Sequence, residues 1–468
     1  MNDLEKLKTL KAEAEIVEQT RGEHVSIRVS PHGYLTVLFL ATFAAGQLFY
    51  LEIDVAGFVV LALAWFFIPL FAMNDKIAFD GRRLERTGLM PRLWAWFNAS
   101  RRRLKLSDIE QVETHSIRAL RRGGNLYYRY RTVIRGRGIS IAFASGGDDY
   151  RNLIKTILPK LDDSLLDTRS IELRDHLGDI KEILTKAEFS RIPSSDVLLS
   201  SFRGVKRSLR QNAVTVHGEE DKADDLRQLG NELRVAGQLP RALEAFRRAL
   251  LIRPRDGWLL FEFARCLHAF AGMRREPKLE RRAYAALRLS ARHGATDGEL
   301  LARIGEWYFQ IGEVTRAGKL FQFVRDRLGE SFRTALGLAE LALSEGKIAH
   351  VIHHFAAAHR LASTSALRRR SKTETDYFSR LNDDEEYMEM EIGRVNLLET
   401  VEGSKKTALR IAILAFPAIM IGVLFEDNLI ANIGWAVSTV SLLIWTGLIV
   451  TAKMLAQRIP YELMNDED

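Results

Sequence analysis

Four stretches almost free of charge, residues 34–51, 55–73, 411–425 and 429–452, constrain this chain more than anything else in its 468 residues. A helix needs ~20 mainly apolar residues to cross ~30 Å of hydrocarbon, and each run approaches or reaches that length. The third is short alone, but Lys405, Lys406 and Arg410 can extend to the headgroups, so its span starts near Thr407. Only Glu52, Ile53 and Asp54 separate the first two runs, and only Glu426, Asp427 and Asn428 the last two. Two tight helical hairpins are therefore expected, at 34–73 (spans 34–51 and 55–73) and at 407–452 (spans 407–425 and 429–452).

Charge sets the orientation. Residues 75–105 hold nine Lys or Arg against three acids, and Lys453 and Arg458 follow the last run. By the positive-inside bias both termini and everything between the hairpins face the cytoplasm, with the acidic tips outside. Four such runs at the two ends of a chain are not expected as core helices of a soluble protein. The first is not expected to be a cleavable signal, because its 33-residue leader mixes acids with bases and no small-residue cleavage pattern follows. The spans carry no central acid or base, which argues against an ion pathway.

Between the hairpins, residues 76–161 alternate in short segments, "IEQVET" and "ISIAFAS" among them, punctuated by turns at "FDGRR", "ERTG", "RRGGN", "RGRG" and "ASGGDD". An amphipathic helix, "DDYRNLIKTILPKL", follows with Asp148 or Asp149 as N-cap and Tyr150, Leu153, Ile154 and Ile157 on one stripe. In "LYYRYRTVIRG" a period of two places Tyr128, Tyr130 and Ile134 inward and Arg129, Arg131 and Arg135 outward. Those arginines, with Arg101, Arg102, Arg103 and Lys105 close after the second span, form a candidate surface for anionic headgroups. The net charge of +8 has the same use beside an anionic leaflet, which makes nucleic-acid reading a lesser alternative.

On "KIAFDGRRLERTG", "LKLSDIEQVET" and the closing helix, 76–161 resembles a pleckstrin-homology-like domain of the bacterial membrane type, in which two spans directly precede the sheet. That resemblance implies a small barrel-like sheet with a capping helix, used for binding, and a bacterial inner-membrane location. Residues 162–221 read as a connector with some helix, "IELRDHLGDIKEILTKAEF".

A 34-residue frame then begins at Ala223, with Leu226, Leu229, Gly230, Leu233, Ala242, Phe246, Ala249 and Pro254 at packing positions. It recurs as Leu260, Phe263, Ala264, Leu267, Ala283 and Leu287, with an insertion near "GMRREPK", then as Leu301, Ile304, Gly305, Tyr308, Ala317 and Phe321, and again as Leu338, Ala339, Ala342, Val351, Phe355 and Ala358. This resembles the tetratricopeptide repeat closely, over 222–362. The resemblance implies an all-α solenoid of about four helix pairs whose inner groove, lined by the first helix of each pair, holds a protein or peptide. Carried onto this chain, the groove positions are Asp224, Arg227, Asn231 and Arg234, then Trp258, Phe261, Arg265 and His268, then Glu299, Glu306 and Phe309. The expected partner-binding set is Arg227, Asn231, Arg234, Trp258, Phe261, Arg265 and Phe309. Glu262 stands where a carboxylate clamp would want an amide, so that ligand is disfavoured.

Nothing catalytic is expected. The glycine-rich stretches lack the GK[ST] of a phosphate loop, and no nucleophile arrangement has local support. His350, His353 and His354 share a helix but no further ligand completes a metal site, and no cofactor is expected. The single cysteine, Cys266, is expected as a buried apolar residue. The acidic run near Asp383 reads as a solvated helix face in an acidic connector, 363–405, and 453–468 as a cytoplasmic tail.

The expectation is a multidomain membrane protein, with two transmembrane hairpins, a small mainly-β domain and an all-α repeat stack, acting as a scaffold or adaptor. The alternative is a structural subunit of a membrane transport or envelope-biogenesis complex, in which Ala41 and Ala45, or Gly434 and Ser438, let a partner helix approach.

Overall fold

A computed structural model describes residues 24–92, 103–120, 126–145, 147–204, 220–459 and 461. The chain divides into two compact units: Met1–Phe39, Leu63–Lys347 and His353–Lys372 form one, Leu40–Ala62, Ile348–Ile352 and Thr373–Asp468 the other.

The first described element is a strand, β1 (His24–Arg28); two apolar helices follow, α1 (His32–Tyr50) and α2 (Asp54–Asn74), and then β2 (Lys76–Asp80). β1 and β2 are antiparallel neighbours, Arg28 opposite Lys76 and His24 opposite Asp80. The sheet therefore begins at His24 rather than at residue 76, and residues 24–28 of the segment assigned to 1–33 belong to it. The helical hairpin is an insertion between two paired strands. A buried carboxylate locks its root: Asp75 accepts from Arg86 at 3.0 and 2.5 Å and from the Tyr34 hydroxyl at 2.7 Å.

β3 (Arg83–Thr87) and β4 (Arg103–Lys105) complete a four-stranded sheet in the order β1-β2-β3-β4, and β5 (Gln111–Leu120), β6 (Leu126–Gly136) and β7 (Ile139–Ala144) form a three-stranded one. Helix α3 (Asp148–Ile157) joins both sheets in one core, Ile77, Phe79 and Leu84 of the first with Val112, Ile134 and Phe143 of the second and Leu153 and Ile154 of the helix. Gly147 is the N-cap of α3; Asp148 and Asp149 occupy the first turn, where their charge complements the helix dipole, and no side chain caps it. β6 alternates as its pattern dictates, with Thr132 and Ile134 buried, Tyr128 and Tyr130 half-buried, and Arg129, Arg131 and Arg135 exposed.

Residues 162–204, expected as a connector with some helix, pack into the cores on either side. The helix expected across "IELRDHLGDIKEILTKAEF" breaks at Gly178 into α4 (Thr168–His176) and α5 (Ile180–Phe189), each capped by its own aspartate, Asp167 on the Ser170 N–H and Asp179 on the Lys181 N–H. Ile171 and Leu173 of α4 enter the core of the sheets, whereas Ile183 and Ala187 of α5, with Leu198 of α6 (Ser195–Gly204), enter that of the first repeat.

Helices α7 (Glu220–Val235) and α8 (Leu239–Ile252), α9 (Gly257–Arg274) and α10 (Pro277–His293), α11 (Gly298–Gln310) and α12 (Val314–Arg327), and α13 (Phe332–Ser344) and α14 (Ile348–Leu361) follow in succession. Most packing positions named by the repeat frame are buried, Leu233, Ala242, Phe246, Ala249, Ala283, Leu287, Ile304 and Ala317 among them, whereas Phe263 is half-buried and Pro254 is exposed in the turn that follows its helix. A Cβ on Gly230 would lie 2.8 Å from the Phe246 ring, and one on Gly305 2.7 Å from the Phe321 ring, the same pair one helix apart in two repeats. Gly237, Gly312 and Gly346 turn the chain between helices at φ of 81, 83 and 71°, and in the second repeat, where "GMRREPK" is inserted, Arg275 takes that conformation at 54°. Asp256, Asp297 and Ser331 cap the leading helices α9, α11 and α13. Cys266 is buried, and burial pushes its thiol up to about 12.

In the second unit, α15 (Ser365–Asp383, from Thr373) precedes α16 (Glu385–Leu424), a single helix of 40 residues that runs from the acidic connector through the third apolar run without a break. Its acidic start is not simply solvated: Asp384 caps the helix, and Glu391, 3% exposed, accepts from Arg394, the Tyr377 hydroxyl and the Ile459 N–H. α16 and α17 (Asn428–Leu455) pack closely through small residues. A Cβ on Gly422 would overlap Ala431 N and one on Gly434 would meet Ile419 N at 2.7 Å. Ser438 is buried and its hydroxyl reaches Ala412 O at 3.4 Å, so Gly434 and Ser438 serve this hairpin itself. Ala45 is fully buried within the same unit. Four helices, α1, α2, α16 and α17, are long and apolar enough to cross a membrane by length and composition.

Candidate partner-binding site in the helical repeats

The leading helices of the first two repeats carry the expected groove residues one turn apart, which brings their side chains to one face. Six of the seven expected residues, Arg227, Asn231, Arg234, Trp258, Phe261 and Arg265, line one cavity of about 460 Å³, together with Glu172 and His176 of α4 and Arg303 of α11. Phe309 lines a different cavity, of about 450 Å³, between the edge strand β5 and helices α11 and α13.

Electrostatics organise the first cavity. Arg227 donates to Glu262 with both prongs at 2.7 Å, so the residue that spoils a carboxylate clamp neutralises the cation that would have formed it. Trp258 is held in place by its indole N–H on Asp297 at 2.8 Å, with the Arg303 guanidinium 5.3 Å above its ring. Phe261 is buried and Arg265 lies 5.3 Å over it. Asn231 is buried and accepts from Arg234 at 3.1 Å. The exposed rim is acidic, with Asp224 and Asp225 at the mouth.

Sequence reasoning missed Glu172. This carboxylate, from a helix outside the repeats, accepts from Arg234 at 2.8 Å and pairs with Arg265. Both arginines thereby share one carboxylate. Burial would raise the Glu172 carboxyl, yet Arg234 and Arg265 hold it down at about 2. The only signal in the sequence was one of several acids in "IELRDHLGDIKEILTKAEF", which names no partner.

The sheet also reaches the repeats. Leu126 N–H donates to Gly237 O at 2.9 Å and the Tyr130 hydroxyl to Val235 O at 2.8 Å, so the half-buried tyrosines of β6 abut the first repeat's turn. Of the expected anionic-surface residues, Arg101 and Arg102 lie outside the described residues. Arg103 pairs with Glu85 at 2.9 Å and Arg135 with Glu113 at 3.4 Å, Lys105 is exposed on β4, and Arg129 and Arg131 project from the exposed face of β6. Among the described residues no group of three or more His, Cys, Asp or Glu side chains is placed to hold a metal ion.

No protein-family model matches this chain, and no curated protein matches it. Solved structures similar to it include TTC0263, a thermophilic TPR protein of Thermus thermophilus, at 18% identity and a TM-score of 0.28 over 42% of this chain and 96% of that one. Pseudomonas aeruginosa pilF is matched at 18% identity and a TM-score of 0.30, over 50% of this chain and 99% of that one. The Cut9–Hcn1 hetero-tetramer of the APC/C is matched at 14% and 0.29, over 67% and 69%.

Proposed function

We propose that this chain is a membrane-anchored scaffold that recruits a protein partner through the cavity on its first two repeats, with the pleckstrin-homology-like sheet domain held at the cytoplasmic surface of a bacterial inner membrane. The observation that carries the reading is the convergence of Trp258 and five neighbouring groove residues on one open cavity of about 460 Å³. Tryptophan and arginine in a partly enclosed pocket are the residues on which interfaces concentrate their energy. Insertion of the α1–α2 hairpin between paired strands supports the anchoring, because a pair of crossings returns the chain to the side it left. Arg129, Arg131 and Lys105 would face anionic headgroups in that setting, each contributing ~1 kcal/mol near the surface.

The test is site-specific photo-crosslinking in cells, from Asp225 at the cavity mouth and from Lys319 on α12 as the comparison. The scaffold reading expects a discrete protein adduct from Asp225 that is absent from Lys319. Identical adducts from both positions, or none from Asp225, would overturn it.

A further inference from the structure

Beside the partner cavity lies a smaller cleft, of about 80 Å³, lined by α4, the first helices of the first two repeats, Ser116 of β5 and Gln310 of α11. Three guanidiniums line it, those of Arg169, Arg234 and Arg265, against one carboxylate, Glu172. The side chains of Arg234 and Arg265 are each only 10% exposed, and the Nε of each is buried without a hydrogen-bond partner among the described residues. Arg169 makes no hydrogen bond or ion pair among the described residues. Buried donors of this kind carry a penalty that a bound acceptor removes.

Burial first of all holds Arg265 down to about 10, with Arg234 and Arg169 adding to it against the pull of Glu172, whereas Arg234, equally buried, is raised by that same carboxylate. Glu172 thus serves its two arginines unequally.

We propose that this cleft binds one compact oxyanion of phosphate size, with Arg169, Arg234 and Arg265 as its cationic partners. The volume suits that group: a cleft of about 80 Å³ has room for one small oxyanion in place of water. Guanidinium forks match the geometry of phosphate and carboxylate oxygens alike. Because Arg169 stands on α4 and the other two on α7 and α9, the bound anion ties the layer between sheet and repeats to the repeat stack. Arg234 and Arg265 also line the partner cavity, but each proposal can fail alone, since the crosslinking test reads Asp225 and the anion titration reads Arg169, which lines the cleft and not the partner cavity.

The experiment uses the full chain in detergent micelles, titrated by calorimetry and by thermal unfolding with inorganic phosphate or acetate at ionic strength held constant with sodium chloride. The expected result is saturable binding with a raised Tm that chloride does not reproduce. Phosphate acting more strongly than acetate assigns the site to a tetrahedral group, and the reverse assigns it to a carboxylate. Arg169→Gln, which leaves both ion pairs of Glu172 in place, weakens that binding about tenfold or more, the loss of one charge-assisted hydrogen bond. Response to neither anion beyond chloride, or binding by Arg169→Gln equal to that of the parent chain, overturns the proposal.

Discussion

Removing the charge of Glu172 would leave Arg234 and Arg265 facing each other in a buried site. The pairing is asymmetric: the carboxylate gains from two cations and is held at about 2, whereas Arg265 shares that single anion with other guanidiniums and is held down. Breaking a buried pair from one side costs about 3–5 kcal/mol, so Glu172→Gln is expected to destabilise the first unit by that order in chemical denaturation. The pH dependence follows from the sign of the shift. A carboxyl whose folded value lies below its unfolded one contributes stability that is complete above the unfolded value of 4.5 and is lost as pH falls toward about 2. The parent chain therefore loses stability over that window, and Glu172→Gln loses less. Equal acid sensitivity in both would show that Glu172 is not the linked group.

At the scale of elements, what could be read in the sequence was whatever repeats locally. Gly230 and Phe246 were legible because helix pairs reuse a close glycine–ring contact at a fixed spacing, and the alternation of β6 because a strand has a period of two. β1 was not legible as part of the sheet, since its partner β2 lies beyond an inserted hairpin and five residues of "HVSIR" carry too little pattern to name it. Neither was the split between α4 and α5 at Gly178, nor the capture of Arg234 and Arg265 by Glu172, because contacts between distant elements leave no spacing to read. Six of the seven expected groove residues share one cavity, but their pairing was not legible: the fold holds Arg227 on Glu262. The glycine contact gives a direct check. Gly230→Ala forces a methyl into the Phe246 ring and is expected to cost about 1–3 kcal/mol. Gly393→Ala on α16, with no atom within 4 Å, is expected to be neutral or to stabilise by about 0.5–1 kcal/mol, the helix preference for alanine. Equal effects in thermal unfolding would contradict the close-crossing account.

For the whole molecule, the pairing of β1 with β2 fixes the parity of whatever happens between residues 28 and 76: the chain must come back to where it started. Two helices of 19 and 21 residues would satisfy that requirement as the two membrane crossings proposed. α16 and α17 form a second hairpin, so the proposed topology puts both acidic tips on one side and the sheet and repeats on the other. Cys266 is buried, which leaves a quiet background for introduced cysteines. The deciding measurement is labelling of Ile53→Cys, Phe425→Cys and Lys319→Cys with a membrane-impermeant maleimide, in intact spheroplasts and after permeabilisation. The account predicts that the two tip positions label in intact spheroplasts and that Lys319→Cys labels only once the membrane is opened. Labelling of Lys319→Cys in intact spheroplasts, or tips that label on opposite sides, would contradict it.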